Sequence, residues 1–435
     1  MSIFKGDGRT SLRAGYGLTG DFVTGQFFFD SRSAPPFGLE QRLTNTLLDD
    51  PWAAVGRTNP FPVAVGGADY PYNAALSSLF ISMPYDIKTT RNHSWNVAFQ
   101  HQVGNDMAFS TTYLGNHMFN MWGVVDGNPG GIPAGSTATG PCTLKLAAGG
   151  TQTFANCSTA PLDLRRELSQ LNPTVGQYYG YLDWITDAGW QSYHGLMLQF
   201  QRRSAGGITT SANYTVSTCE GLISQGQAPL NVATGYMQPV SLINPPSEAA
   251  QQTLFDQDKG RCSTWRKHIL NLTASVETPM FSSEVVRALA SGWRLSGIFR
   301  ANSGSPLTVT TGTDRALSGI QTTTQRPNQV LDNPYGDGAF NWLNPAAFAQ
   351  PALGTYGNSV RNAYDGPGRR VVDLSLVRSF RFGNGQRIEA RVEAFNAFNW
   401  FLLENPNTTL SSATFGRITS SGDPRVMQFA VKLEF

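Results

Sequence analysis

Three glycines near the start of the chain have the spacing of a nucleotide-binding loop. Gly15, Gly17 and Gly20 form the pattern G-x-G-x-x-G, which binds a pyrophosphate when a helix follows it and an acidic residue lies about 20 positions further on. Here a strand-like stretch follows, and then GQFFFDSRSAPP, which is not a helical sequence. We therefore expect no dinucleotide and no other cofactor at these glycines.

A second candidate is a calcium loop. Asp256, Asp258 and Gly260 match the start of an EF-hand, whose loop supplies carboxylates at alternate positions and ends on a bidentate glutamate. The closing position holds Lys267, and the glycine comes one residue early. This pattern argues against an EF-hand, and looser calcium binding by acidic loop residues remains the alternative.

The histidines do not have the spacing of a metal site. Five are present, and they are scattered along the chain: His93, His101, His117, His194 and His268. His93 and His101 share a strand face, but they lie at its two ends, too far apart for one ion. We expect polar roles for the histidines at an interface or in loops, and no bound metal.

The sequence also lacks the common hydrolase motifs. It contains neither G-x-S-x-G nor H-E-x-x-H, which carry nucleophilic and zinc-dependent hydrolysis respectively. The paired carboxylates Glu389 and Glu393 have Arg391 between them. A charge row of this kind is typical of an ion network rather than of an acid–base pair. We expect the protein not to be an enzyme.

Four cysteines fall in two predicted long loops. Cys142 and Cys157 lie within one loop, and Cys219 and Cys262 lie at the two ends of the next. Four cysteines allow three connectivities, of which pairing within each loop is the simplest. Such links stabilise by roughly 3 kcal/mol for the shorter loop and about 4 kcal/mol for the longer one. They imply an oxidising compartment, and a metal site is the alternative.

Composition narrows the class of protein. The 435 residues are 40% hydrophobic and 14% charged, against about 25% charged in ordinary globular chains. The net charge of +2 gives no electrostatic case for nucleic acid. No stretch approaches the roughly 18 apolar residues of a membrane helix, and the first residues lack the apolar region of a signal peptide. These features argue against a nucleic-acid-binding protein and against a protein that crosses a membrane through helices.

Residues of alternating polarity recur along the chain and predict antiparallel strands, because side chains of a strand point alternately to its two faces. The predicted strands are 10–24, 91–103, 106–119, 190–204, 207–219, 265–279, 291–311, 369–383, 386–400 and 424–435. Their apolar faces carry aromatic residues towards the strand ends: Tyr16, Trp95, Tyr113, Tyr193, Trp265, Trp293, Trp400 and Phe435.

The links between these strands alternate strictly between short and long. Short links occur at 104–105, 205–207 and 383–385, with a somewhat longer one near 280–290. The long links are 25–90, 120–189, 220–264, 312–368 and 401–423. A half-buried soluble sheet accounts for the alternating polarity but not for this asymmetry, which is typical of transmembrane β-barrels with short periplasmic turns and long extracellular loops.

The barrel interpretation predicts the environment of each face. We expect these residues to face lipid: Leu374, Leu376, Ile388, Val392, Phe429, Val431 and Leu433. We expect Glu389, Arg391, Glu393 and Lys432 to face the lumen, with the first three forming a charge network. A polar lumen and an apolar outer band flanked by aromatic girdles are the pattern of this class.

Several motifs occur in a characteristic order along the chain: GWRLSGIFRANSGSPLTV (292–309), QRPNQV (325–330), WLNPAAF (342–348), GTYGNSVRN (354–362), EAFNAFN (393–399), FGRI (415–418) and DPRVMQFAVKLEF (423–435), with LRAGYGLTGDF (12–22) and RNHSWNVAFQHQV (91–103) in earlier strands. Together they resemble the C-terminal barrel of TonB-dependent receptors, most closely the Oar-like group with a carboxypeptidase-regulatory-like N-terminal domain. The resemblance implies an outer-membrane receptor that takes up a large or scarce solute. The terminal Phe435 resembles the signal by which such barrels are recognised for insertion.

The resemblance also implies partners and a missing part. Such receptors have a signal peptide, a TonB box, a plug domain and a barrel of about 22 strands, whereas about ten strands are predicted here. We expect residues 1–435 to be the C-terminal part of the barrel, open along one side or closed into a strained small ring, and unable to transport alone. Expected partners are outer-membrane lipid, the barrel assembly machinery and, in a full-length protein, the plug and TonB. No ligand residue carries over.

Two other functions stay open from the sequence. One is a non-transporting outer-membrane protein whose long loops bind a glycan or another cell. The other is a secreted all-β carbohydrate-active enzyme, which would be soluble without detergent. Of the three, the receptor barrel accounts best for the links and for the resemblance.

Overall fold

The structure is a computed structural model. It describes residues 8–21, 43, 46–56, 58–59, 79–222, 239–240, 247–319, 325–382 and 386–435. The strands are β1 (Thr10–Gly20), β2 (Leu79–Ser82), β3 (Arg91–Val103), β4 (Met107–Asp126), β5 (Cys142–Lys145), β6 (Thr151–Phe154), β7 (Tyr181–Ala205), β8 (Ile208–Gly221), β9 (Gly260–Arg261), β10 (His268–Glu277), β11 (Trp293–Asn302), β12 (Pro306–Leu307), β13 (Asn328–Gln329), β14 (Phe348–Ala349), β15 (Tyr364–Asp365), β16 (Arg369–Phe382), β17 (Gln386–Phe395) and β18 (Val426–Glu434).

Helices are short and lie between strands. The α-helices are α1 (Leu162–Arg165), α2 (Glu167–Leu171), α3 (Pro173–Gly176), α4 (Glu248–Asp256) and α5 (Glu284–Ala290). Single 3-10 turns occur at Ala53–Val55, Cys157–Thr159 and Pro345–Ala347. In the part of the chain that the structure describes, no helix is long and apolar enough to cross a membrane.

One large antiparallel sheet dominates the molecule. Its strands follow chain order as β1-β3-β4-β7-β8-β10-β11-β16-β17-β18, and β2 and β9 are added beside β7 and β8. The predicted meander of about ten strands is therefore confirmed. Among the described residues β1 pairs only with β3, and β18 only with β17, so the sheet is not closed.

The links have the predicted asymmetry at the two rims. β3 and β4 are joined through Gly104, and β7 and β8 through Gly206 and Gly207, all at positive φ, as hairpin turns require. We call the rim of these short links the inner rim and the rim of the long links the outer rim. The third short link, 383–385, lies outside the described residues.

The strand register separates two faces. Leu376 pairs with Val392, which pairs with Phe429, and this row lies on one side of the sheet. Because side chains alternate, this apolar face holds all of the residues predicted to face lipid: Leu374, Leu376, Ile388, Val392, Phe429, Val431 and Leu433. The opposite, polar face holds Glu389, Arg391, Glu393 and Lys432.

Two of the aromatic assignments were wrong. Tyr193 pairs with Asn116 and Cys219, and its neighbours Ser192 and His194 occupy the apolar face, so Tyr193 lies on the polar face. Trp265 precedes β10, and its indole N–H donates to Ser217 Oγ across 3.0 Å. A single residue of register error moves a side chain to the other face.

Several strand ends differ from prediction. At the outer rim β4 extends to Asp126 and β7 starts at Tyr181, because the predicted loop 120–189 begins and ends with further pairing of these two strands across bulges. β17 ends at Phe395 because Asn396 takes a positive φ of 48°. The link near 280–290 contains α5 rather than a plain turn.

The buried core lies in the long links rather than in the sheet. Apolar-face side chains such as Phe429 and Val431 are exposed, whereas the links contain buried clusters around Leu343, Phe255 and Leu144. We call these links the loop layer; it comprises residues 127–180, 247–267, 303–319, 325–368 and 396–425. A sheet that meets lipid on one face needs no core there.

Candidate functional site

Two disulfides close long loops of the outer rim. Cys142 is bonded to Cys157, with Cα atoms 4.9 Å apart, and Cys219 is bonded to Cys262, with Cα atoms 5.5 Å apart. This is the simplest pairing considered from the sequence. The first bond holds the β5–β6 hairpin against the turn that follows it, and the second links the outer end of β8 to the chain leading into β10.

A buried ion pair joins segments of the loop layer that are distant in the chain. Arg326 Nη1 lies 2.6 Å from Asp258 Oδ1, and Arg326 Nε donates to the Ser359 carbonyl across 2.8 Å. Asp258 is one of the residues of the candidate calcium loop, and it contacts a guanidinium instead. Its role here is to connect the segment after α4 to the segments on either side of β14.

A second buried arginine fixes the outer extension of β4 and β7. Arg166 Nη1 lies 3.6 Å from Asp126 Oδ2 and donates to the Asn128 carbonyl across 2.6 Å, while its guanidinium packs over the Tyr181 ring. The Asp126 side chain is fully buried, and the backbone N–H of Asn128 donates to its Oδ1 across 2.9 Å.

An apolar cluster supports the C-terminal part of the loop layer. It consists of Leu307, Val309, Leu343, Ala347, Phe348, Tyr364 and Phe415. The Tyr364 hydroxyl donates to Gln329 Oε1 across 2.9 Å, and burial is the main cause that raises its pKa to about 12. The C-terminal part of the loop layer therefore packs around a core of its own.

Where this layer meets the polar face of the sheet, it leaves a cleft of about 570 Å³. The cleft is lined by Arg300, Asn302, Arg369, Val371, Asp373, Phe395, Asn396, Leu402, Asp423, Pro424 and Val426. Register places the strand residues of this lining on the polar face, since Asn302 pairs with Arg369 and Arg300 with Val371. Loop residues such as Leu402 and Asp423 approach the same face, so the loop layer folds over the polar side.

The cleft presents more donors than acceptors. Arg300 Nη2 lies 2.5 Å from Asp373 Oδ2, and Asp373 Oδ1 accepts from the Asn396 backbone N–H across 2.9 Å. Arg369 Nη1 lies 3.9 Å from Glu404 Oε1. Both guanidinium groups remain about half exposed, so each keeps N–H groups available to an oxygen-rich ligand. This arrangement can bind and orient a polar solute.

The predicted charge network lies further down the same face. The Glu389 carboxylate accepts from Nη2 of Arg391 and from Nη2 of Arg387, each across 2.7 Å, and Arg391 Nη1 lies 3.7 Å from Glu393 Oε1. The structure thus brings Glu389, Arg391 and Glu393 together and adds Arg387. Lys432 lies one strand away and pairs with Glu434 at 2.6 Å. Phe435 follows β18 and is fully exposed.

The histidines lie on the apolar face in hydrogen-bonded pairs. His93 pairs with Tyr16 at 2.5 Å, His194 with Tyr113 at 2.9 Å and His268 with Tyr214 at 2.7 Å. His101 contacts Thr10, and His117 contacts Ser192. The described residues contain no group of three or more metal-ligating side chains. These pairs are hydrogen bonds between side chains of neighbouring strands.

Sequence reasoning missed the cleft residues. Arg300 lies in β11, Asp373 lies in β16 and Asn396 directly follows β17, so their convergence depends on the register of these three strands. One signal was present, because Asn396 lies in the motif EAFNAFN and is the residue that ends β17. No local pattern links it to Arg300.

Comparison with known proteins gives a family match over most of the chain. The model of the family described as outer membrane beta barrel domain matches residues 2–428. No curated protein matches.

Three solved structures to which this chain is similar are described as a transporter or as receptors. The outer membrane transporter YddB from Escherichia coli has 11% identity and a TM-score of 0.42, over 82% of this chain and 34% of that one. The pyoverdine outer membrane receptor FpvA from Pseudomonas aeruginosa has 12% identity and a TM-score of 0.36, over 80% and 30%. The ferric-catecholate import receptor Fiu from Escherichia coli has 9% identity and a TM-score of 0.37, over 98% and 33%.

The alignments with these three solved structures span about a third of their length. The family match covers both the sheet and the loop layer, and the register supplies an apolar face for lipid and a polar face for the interior. The chain belongs to the outer membrane beta-barrel domain family, and its long antiparallel strands are transmembrane strands of the outer membrane.

Proposed function

We propose that this chain is the C-terminal barrel part of a TonB-dependent receptor that takes up a large or scarce polar solute. The observation that carries the proposal is the cleft at the outer end of the polar face, where Arg300 and Arg369 offer half-exposed guanidinium groups beneath a packed loop layer. A solute that arrives from outside the cell would reach this cleft after it has passed the loop layer.

The crosslinks within the loop layer support capture. Two disulfides and the buried Arg326–Asp258 pair connect segments of this layer and of the strands next to it that are distant in the chain. A preformed site avoids the entropy cost of ordering loops on binding, which is about 0.5–1.5 kcal/mol for each immobilised side chain. The chemistry is binding and passage rather than catalysis.

The open sheet supports a larger barrel. Unpaired N–H and C=O groups are costly in hydrocarbon, and among the described residues β1 and β18 each pair on one side only. We propose that further strands complete the barrel, that a plug occupies its lumen against the polar face, and that TonB supplies energy.

Deleting the gene in its host tests the receptor function. Uptake of radiolabelled ferric siderophores, cobalamin and oligosaccharides is compared between parent and deletion strains, with and without a protonophore. Loss of one energy-dependent uptake, restored by the gene but not by its Arg300→Ala/Arg369→Ala variant, is the expected result. The proposed receptor function would be contradicted if the deletion strain took up every tested solute as the parent does and also grew equally well with each solute as the sole source of the nutrient that it supplies.

A non-transporting surface-binding role is the second candidate. The disulfide-bonded β5–β6 hairpin favours it, because its Thr143 and Thr153 hydroxyls face outward and bond each other across 2.9 Å, which suits an exposed contact surface. In that case the deletion strain would keep all uptake and lose attachment to glycan-coated or cell-coated surfaces.

A further inference from the structure

The inner rim contains one link that is not a tight turn. Between β10 and β11 the chain forms α5, and the apolar side chains of this link are exposed: Met280 73% before the helix, and Val285 69%, Val286 42% and Leu289 68% within it. No residue of α5 is buried. The other links at this rim are only a few residues long, whereas this one forms a helix with an exposed apolar surface. Such a surface requires a partner.

The helix is amphipathic. With about 100° of rotation per residue, Val285, Leu289 and Val286 fall within an arc of about 100°. Glu284 and Arg287 lie on the opposite side of the helix. Arg287 is held there, since its Nε and Nη2 donate to the carbonyls of Phe281 and Ser282 across 2.9 and 2.7 Å.

Side chains of the apolar face hold the C-terminal end of α5. The Trp293 indole N–H donates to the Leu289 carbonyl across 2.9 Å, and Arg378 Nη2 donates to the Ala288 carbonyl. Trp293 and Arg378 are a register pair, two residues from Leu295 and Leu376 of the apolar face. The end of α5 is therefore tied to the lipid side of the barrel wall and not to its polar interior.

The surroundings are those of a membrane interface. The Arg378 guanidinium lies 4.8 Å from the centre of the Trp293 ring and 4.5 Å from that of Phe380. Tryptophan and arginine at the end of a spanning segment are typical anchors at the headgroup level. The exposed arc of α5 continues the apolar face at that level and carries no charge.

We propose that α5 is an interfacial anchor that lies in the inner leaflet of the outer membrane. Val285, Val286 and Leu289 insert into the acyl boundary of the phospholipids, and Arg378 sits at the phosphate level. Amphipathic helices with an uncharged apolar arc bind membranes in this orientation. The anchor adds a lipid contact that does not depend on which solute the barrel takes up.

Site-directed spin labelling tests this placement in the full-length protein, reconstituted in vesicles of phosphatidylethanolamine and phosphatidylglycerol. Both native cysteine pairs are disulfide-bonded, so a nitroxide reacts with an added cysteine. Labels at Val285→Cys and Leu289→Cys are compared with Glu284→Cys on the polar side. Phe429→Cys on the apolar face and Val360→Cys in the loop layer are the lipid and water references. The readout is the collision rate with oxygen relative to a nickel chelate.

The expected result is helical periodicity. Labels at 285 and 289 should have oxygen-to-nickel ratios several-fold above that at 284 and close to that at 429, while 284 should resemble 360. Ratios at 285 and 289 equal to that at 360 would place the helix in the aqueous periplasm and overturn the proposal. Low collision with both reagents would show a protein partner on this surface and would overturn it as well. Each variant is measured only on its heat-modifiable, folded fraction.

Discussion

The buried pair between Arg326 and Asp258 gives a quantitative test of the loop layer. Their side chains are 3% and 5% exposed and lie 2.6 Å apart. Removing one partner of such a pair leaves an uncompensated buried charge, which costs about 3–5 kcal/mol. We expect Asp258→Ala to weaken the loop layer by that amount, while the transmembrane strands keep their pairing.

The chain offers a matched control. Arg261 and Asp365 also lie 2.6 Å apart, but Asp365 is 59% exposed. Exposed pairs contribute about 0–1 kcal/mol. We therefore expect Asp365→Ala to have a small effect, so that burial rather than distance separates the two variants.

Hydrogen exchange measured by mass spectrometry follows the opening of each segment. For Asp258→Ala, amides protected in the segment 247–267 should exchange roughly 100- to 4,000-fold faster, from the cost of the unpaired charge. Asp365→Ala should change them by less than about fivefold. Replacing both partners, as Asp258→Leu with Arg326→Met, should recover much of the loss. Equal acceleration by the two single variants would refute the reasoning from burial.

Three further outcomes are expected. Val392→Arg on the apolar face should destabilise the completed barrel by about 2–4 kcal/mol in lipid, whereas Glu393→Arg should cost less; equal urea midpoints for the two variants would contradict this assignment of the faces. Mass spectrometry of unreduced peptides should show the Cys142–Cys157 link, and alkylation of either thiol in protein exported from the cell would contradict it. The pKa of Tyr364 is raised from 10.0 to about 12, so its contribution to stability is complete below about pH 10 and is lost as the pH rises through 12. Tyr364→Phe should therefore reduce the fall in unfolding temperature over this pH range. An equal fall in the variant would assign the pH dependence to other groups.

Periodicity made much of the fold predictable. Side chains of a strand alternate with period two, so the spacing of residues such as Ile388 and Val392 predicted both a strand and its apolar face. The strand register confirms this prediction. The order of the ten strands followed from short and long links. Tyr193 shows the limit of the method, because assignment to a face fails when one residue of the phase is misjudged.

Strand ends and insertions depend on interactions that no local pattern records. Asn396 ends β17 because its backbone N–H bonds Asp373 and its side-chain amide donates to the Trp400 carbonyl. The helix α5 is short and has no buried residue. Its sequence pattern is therefore too weak to predict a helix, and the sequence predicted only a link there. Contacts with Trp293 and Arg378 hold its end.

By itself, the sequence determined the class of fold, the order of the long strands and the face of most side chains, because each depends on residues close together in the chain. Only the tertiary structure decided the cleft and the buried ion pairs. Arg300, Asp373 and Asn396 converge through the register of three strands, and Arg326 meets Asp258 through the packing of separate loops. Such contacts form between residues distant in sequence, and their geometry exists only once the strands and loops are in place.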